Sequence, residues 1–276
     1  MNGELPSLDL AVVTHKPDGI ERVAKMVLPP AEGVRYVVSW QNHQDYPVPG
    51  SLASRTDVKI YRTDSKGISN NRNNSLDHCE AEIVLFSDDD LKYEAGDLER
   101  LRRLYKDRPE LELTTLISRH GDNSRFPQEE VKLGRKLPKN YSVASFEIAF
   151  RRDKVMKLRC CPELGIGSEK FHSGEDEAFL LSAIRRGIDC RFIPIKICEH
   201  PNESTGTKTS LTEGNLLGFG SIIALQYPYS ATLRVPLKAW RLWRGGRAPL
   251  WKAFKFVARG AMMTRGLRKR NKKYLW

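Results

Sequence analysis

From Gly214 to Trp276 the chain contains no aspartate and no glutamate. The same segment carries 14 of the 46 lysines and arginines, so the preceding 213 residues hold 32 basic groups against all 34 acidic ones. The formal charge of +12 therefore belongs to the tail. Such an asymmetry argues against a uniformly basic nucleic-acid binder and points to an ordinary globular body with a cationic appendage. Long apolar runs are missing as well. The longest candidate, Ser221 to Leu225 with its flanks, falls short of the ~18 to 20 uncharged apolar residues that span a bilayer. The first residues, Met1-Asn-Gly-Glu-Leu-Pro, have neither a basic n-region nor an apolar h-region, and no secretory signal is expected. Cysteine is scarce and odd in number, five in all, with no C-x-x-C spacing. Reduced cytosolic thiols are expected rather than a disulfide framework or a zinc site. There is no internal repeat and no low-complexity tract.

What is present alternates. Leu8 to Thr14 reads LDLAVVT, a mostly apolar run that predicts a buried strand. Ile20, Val23, Ala24 and Val27 then recur at helical spacing until Pro29-Pro30 stops the helix. Strands are predicted at Val34 to Trp40, Val58 to Arg62 and Ile83 to Ser87, with a short helix from the Gly67 segment to near Cys79. Strands alternating with helices imply βαβ units and a mainly parallel sheet, whose ligands sit at the carboxyl ends of the strands. Further on, Gly96 to Lys106 reads as a surface helix and residues 121–139 as a polar loop. Leu111 to Ser118, Ser142 to Arg151 and Arg191 to Cys198 read as strands. Glu175 to Arg186 is predicted helical, with Ser173 as cap, acids in the first turn, arginines in the last and Gly187 just past the end.

Phe86-Ser-Asp88-Asp89-Asp90-Leu places three adjacent carboxylates where an apolar strand ends. Aspartate is common in turns, but a turn does not require three like charges in a row. A hard divalent cation, which takes carboxylate oxygens together with ligand phosphates, supplies a reason for the crowding. A strand ending in Thr14, G-I-S-N-N-R-N at Gly67 to Asn73, F-S-D-D-D at Phe86 to Asp90 and G-E-D-E-A-F at Gly174 to Phe179 occur in order. Over about Leu8 to Gly206 the chain resembles the family-2 glycosyltransferases, of bacterial surface-polysaccharide type.

The resemblance implies an α/β GT-A fold, a Rossmann-like, mixed but mainly parallel sheet flanked by helices. It divides the body into a nucleotide-binding half, about residues 1–95, and an acceptor half, about 96–213. It implies Mn²⁺ or Mg²⁺, with Asp88, Asp90 and His200 as candidate ligands. Asp88 falls nearer the ribose or sugar and Asp90 nearer the metal, and Asp89 suits either role. Thr14 and Arg72 fall where the family contacts base and ribose or phosphate, an arginine there offering a planar fork of donors to a diphosphate. Many members end the second strand in an acidic turn that contacts uracil, whereas this chain has Ser39-Trp40-Gln41-Asn42-His43. Gln41 is the candidate base contact, UDP the first expectation, and GDP or dTDP sugars remain open. Asp176 is the implied general base and Glu175 its supporting carboxylate, although acids in a first helical turn are also good helix chemistry. Glu147 and the Gly165 and Gly167 turn are candidates for contacting the acceptor. His15, His43, His78, His120 and His172 show no ligand spacing.

In the tail, Leu250, Phe254, Val257, Ala258 and Ala261 are predicted to share one helical face and Lys252, Lys255 and Arg259 the other. Leu237, Trp240 and Trp243 alternate with Lys238, Arg241 and Arg244. Basic amphipathic helices with tryptophans lie in the headgroup region of anionic membranes. Residues 214–276 are thus read as a membrane-associating tail, on a protein that is cytoplasmic and peripheral at the inner face of the plasma membrane. Its expected partners are a nucleotide-sugar donor and a saccharide or lipid-linked acceptor, with no nucleic acid. A nucleotidyltransferase using the same aspartates, and a non-catalytic membrane- or nucleic-acid-binding protein, are the alternatives.

Overall fold

The computed structural model describes residues 4–119, 125–139, 141–200 and 211–275. His120, Trp276, the start of the polar loop and the end of the family-like segment lie outside the described residues. The chain divides into two compact units. The first comprises residues 1–65, 71–157 and 187–202, and the second residues 66–70, 158–186 and 203–276.

In the first unit the apolar runs form β1 (Leu8–His15), β2 (Val34–Gln41), β3 (Val58–Thr63), β4 (Ile83–Asp88), β5 (Leu113–Arg119), β6 (Val131–Leu133), β7 (Ile148–Arg151) and β8 (Cys190–Glu199). They make one sheet of order β3-β2-β1-β4-β7-β5-β8-β6. β1 pairs in parallel with β2 and β4, β2 with β3 and β5 with β8, while β7 and β6 run antiparallel to their neighbours. The helices are α1 (Lys16–Met26), α2 (Gly50–Ala53), α3 (Ile68–Asp77), whose first turn falls in the second unit, α4 (Ala95–Asp107) and α5 (Arg152–Val155).

Covering a parallel sheet on both faces explains why β1 is buried from Leu8 to Thr14. Each large aliphatic side chain so buried contributes about 1.5–3 kcal/mol. Asp9 is the polar exception inside β1. Arg35 donates to both its oxygens at 2.8 and 2.9 Å, and the Glu80 and Ala81 N–H groups donate to it at 2.7 and 2.9 Å. These bonds lock the entry of β4 to β1. The strand expected over Ser142 to Arg151 is shorter. Ser145–Glu147 form a single 3-10 turn, because the Glu147 side chain folds back to accept from the Ala144 N–H at 2.9 Å. All five cysteines are free and buried.

The second unit is helical: α6 (Glu175–Arg185), α7 (Glu213–Gln226), α8 (Ala231–Arg244) and α9 (Leu250–Arg270). The cap expected from Ser173 is absent. Gly174, at φ 94, turns the chain into α6, and the Ser173 hydroxyl donates to the Asn215 carbonyl at 3.1 Å. α7 begins at a reciprocal cap between Thr212 and Asn215 that bonds both backbone N–H groups.

The basic segment is no detached appendage. Leu216, Val235, Ala239, Phe256 and Val257 share one buried cluster with Cys161, Leu164, Phe171 and Leu181. The buried stripe of α9 is Ala253, Phe256, Val257, Gly260, Thr264 and Leu267, whereas Leu250 and Phe254 of the expected apolar face are exposed. Backbone contact sets that rotation. An added Cβ at Gly260 would fall 2.1 Å from the Leu217 oxygen, and one at Gly220 would fall 2.0 Å from the Val257 oxygen. Replacing Gly260 by alanine should therefore cost about 1–3 kcal/mol by overpacking. Gly96→Ala, where a Cβ meets nothing within 4 Å, should not destabilise. Chemical denaturation of the two variants checks this.

Candidate active site

The order of the sheet reverses at β1, with β2 and β3 on one side and β4 on the other. The carboxyl ends of β1 and β4 therefore flank a crevice of the kind that binds ligands in open α/β sheets. Thr14 ends the buried run of β1, and Asp88, Asp89 and Asp90 follow from β4. Three neighbouring carboxylates repel one another, and each is met by a group from a different element.

Asp89 faces α1. Thr14 Oγ1 donates to its Oδ2 at 2.5 Å, and Arg22 donates through Nε and Nη2 to its two oxygens, each at 3.0 Å. Burial pushes its carboxyl above the usual range, against the pull of Arg22 and Thr14. The approach is close enough to require glycine on α1. A Cβ at Gly19 would sit 2.2 Å from Thr14 Oγ1 and 2.9 Å from Asp89 Oδ2.

Asp88 faces α3. Arg72 is buried there, donating through Nη2 to Ser145 Oγ at 2.6 Å and lying 3.5 Å from Asp88 Oδ1. It is not the exposed helix residue that an isolated arginine usually is. Burial raises the Asp88 carboxyl, Arg72 opposes this, and the charge of Asp90 adds to it. The polar run of α3 is explained by its bonds to strand ends. Asn71 donates to the Thr14 carbonyl at 3.0 Å and Asn74 to Ser39 Oγ at 2.8 Å.

Asp90 faces the residue after β8. Lys92 and Glu199 exchange two backbone hydrogen bonds, each of 2.9 Å, in an isolated antiparallel bridge. That bridge brings His200 Nε2 to 3.5 Å from Asp90 Oδ1, with the imidazole stacked on Phe146. Two carboxylates and an imidazole are chemically suited to Mg²⁺ or Mn²⁺. Among the described residues no three such groups already form a ligand cluster. The fit is thus one of donor type, as in sites whose coordination is completed by substrate phosphates.

Gln41, at the end of β2, is buried, and its Nε2 donates to Ser65 Oγ at 2.9 Å. Glu147 precedes β7 in the 3-10 turn. It is buried, accepts from Ser118 Oγ at 2.5 Å and from the Ala144 N–H, and is gripped by Arg125 through both oxygens. Its bonds close the turn that presents Ser145 to Arg72.

In the second unit Gly165 and Gly167 adopt φ 96 and 81. A Cβ on Gly165 would meet Ile68 and Glu175 at 2.7 and 2.8 Å, and one on Gly167 would lie 3.0 Å from the Gly67 Cα. The Ile68 N–H donates to the Ile166 carbonyl at 2.9 Å, which ties this turn to the start of α3. Glu175 is buried and Asp176 half-buried in the first turn of α6. The expected residues thus gather in two sets. Thr14, Arg72, Asp88, Asp89, Asp90 and His200 belong to the first unit, Gly165, Gly167, Glu175 and Asp176 to the second.

A model of the family described as "Glycosyl transferase family 2" matches residues 17–168, more than half of the chain. The chain belongs to glycosyl transferase family 2. Solved structures place it with the GT-A fold. Staphylococcus aureus TarS residues 1–349 in complex with UDP superposes with a TM-score of 0.59 at 13% identity, covering 94% of this chain and 91% of that one. The complex of the same fragment with UDP-GlcNAc gives 0.56 at 14% identity over 98% and 88%. The longer TarS chain gives 0.57 at 15% identity, and the present chain spans 43% of it. No curated protein sequence matches.

Arg22, Gly19 and Ser145 are not among the residues expected from the sequence. A glycine inside the helical pattern of α1 was the available signal for Gly19, because glycine in a helix is costly unless a close approach needs it. Glu147 yields a pH test. Its folded carboxyl is raised from 4.5 by burial, against the Arg125 charge and the Ser118 bond. The folded state then holds this proton more tightly than the unfolded chain does. The stability it lends is complete below pH 4.5 and is lost as pH rises through the raised value. Compared with Glu147→Gln, the wild type should therefore lose stability with rising pH above 4.5, a difference that urea midpoints across pH will report.

Proposed function

We propose that the protein is a metal-dependent, inverting glycosyltransferase. It moves a hexosyl or N-acetylhexosaminyl group from a nucleoside-diphosphate sugar to a hydroxyl of a saccharide or lipid-linked acceptor in cell-surface polysaccharide synthesis. The observation that carries the reading is the Asp90–His200 pair beside Asp88 at the carboxyl edge of the sheet, in a chain of this family. UDP is the first choice of nucleotide, because TarS structures contain UDP and UDP-GlcNAc.

Asp88, Asp90 and His200 would hold Mn²⁺ or Mg²⁺. When bound, such an ion supplies Lewis-acid neutralisation of a diphosphate leaving group. Arg72 adds a fixed positive charge next to Asp88, and Thr14, Asp89 and Arg22 fix the backbone at the end of β1. Gln41 serves the base, with an amide in place of the family's usual carboxylate. Asp176 is the general base and Glu175 orients it. The acceptor oxygen forms a bond to the anomeric carbon, its proton passes to the Asp176 carboxylate, and the carbon–oxygen bond to the diphosphate breaks with its electron pair on the leaving oxygen. Attack from the face opposite the leaving group inverts the anomeric centre. Gly165 and Gly167 allow backbone to approach the acceptor. Such acceptors are held at the cytoplasmic face of the plasma membrane, where the cationic tail associates.

Asp176→Asn should retain calorimetric binding of UDP with Mn²⁺ and lose transfer about 10²- to 10⁴-fold, the usual worth of a general base. Unchanged turnover would remove Asp176 from that role. His200→Ala should weaken Mn²⁺-dependent UDP binding and leave the fold intact.

A further inference from the structure

Nine of the twelve large apolar side chains that stand exposed among the described residues lie between Tyr229 and Met262. On α8, Val235, Ala239 and Leu242 face the buried cluster of the second unit, while Leu233, Leu237 and Trp240 recur at i, i+4 and i+7 on the outside. On α9, Trp251, Phe254 and Met262 recur at i, i+3 and i+11 away from the buried stripe. An ordinary surface helix has one apolar stripe. These two have a second that no described residue of the unit covers, with exposures of 78% at Leu233, 67% at Trp251 and 74% at Met262.

We infer that this outer face of α8 and α9 is a docking surface for an anionic lipid bilayer. The inference rests on the membrane association proposed above and identifies the face that makes it. Charge decides the occupant. The segment from Gly214 onward has 14 basic residues and no acid, and Arg244 lies 5.3 Å over the Trp240 ring while Lys252 and Lys255 follow Trp251. A second copy of the chain would bring like charges together across this face. A nucleic acid would meet the charge but leave Leu233, Leu237 and Met262 uncovered. An anionic headgroup layer meets the charge, and the acyl boundary beneath it covers the aliphatic side chains, with tryptophan at its preferred depth.

The test uses the full chain without donor or acceptor, so its failure leaves the glycosyl-transfer reading standing. The protein should co-sediment with phosphatidylcholine vesicles containing phosphatidylglycerol and not with phosphatidylcholine alone. Brominated acyl chains should quench its tryptophan fluorescence. Trp240→Ser combined with Trp251→Ser should lower partitioning about tenfold or more. Arg244→Gln or Lys255→Gln should lower it about fivefold each, an effect that shrinks in high salt. Met156→Ser, at an exposed apolar site of the first unit, should change nothing. Absence of vesicle binding, binding indifferent to the tryptophan pair, or a dimer or DNA complex that the pair abolishes while vesicles are ignored would each overturn the assignment.

Discussion

Three carboxylates in succession at the end of one strand constrain much of the first unit. Their mutual repulsion in a partly desolvated crevice has to be met, and it is met from three directions. Arg22 and Thr14 take Asp89, Arg72 takes Asp88, and His200 stands against Asp90. The partners come from α1 and the end of β1, from α3, and from the residue after β8. Pairs of this kind add little net stability once desolvation is counted, but removing the arginine from Asp88 or Asp89 leaves a buried charge and costs several kcal/mol. They act as registry marks, each requiring its element to sit in one place.

Local features that look wasteful in isolation follow from that requirement. Gly19 weakens α1 as a helix and admits the Thr14 hydroxyl to Asp89. α3 has little apolar surface, and its asparagines and Arg72 bond strand ends instead. Glu147 is buried with Arg125 and closes the turn that gives Arg72 its second acceptor, Ser145. An unpaired Glu147 would be expensive in such a place. In the second unit the constraint is backbone proximity, since α7 and α9 touch at two glycines and thereby decide which side of α9 is buried.

The same rotation decides what the basic helices present outward. Burying Phe256 and Leu267 turns Trp251, Phe254 and Met262 away from the core. A face apolar and cationic together results from packing rather than from any excess of apolar residues in the segment.

Patterning alone determined the alternation of strands and helices, the reduced cysteines, the position of the acidic cluster at a strand end and the confinement of the charge excess to the tail. Each depends on residue order along one element, and the periods of 2 and 3.6 carry that information locally. Only the tertiary structure decided the partners. The family resemblance names His200 together with Asp90, but how it arrives there, through the Lys92–Glu199 bridge, is a matter of the fold. Glu147 reads as half of an alternating strand until its own side chain closes a turn. The buried face of α9 could not be read from hydrophobicity, because both sides are apolar and the choice belongs to the glycine contact with α7. Long-range pairing and backbone proximity are properties of the folded chain, and a one-dimensional pattern records only the residues that permit them.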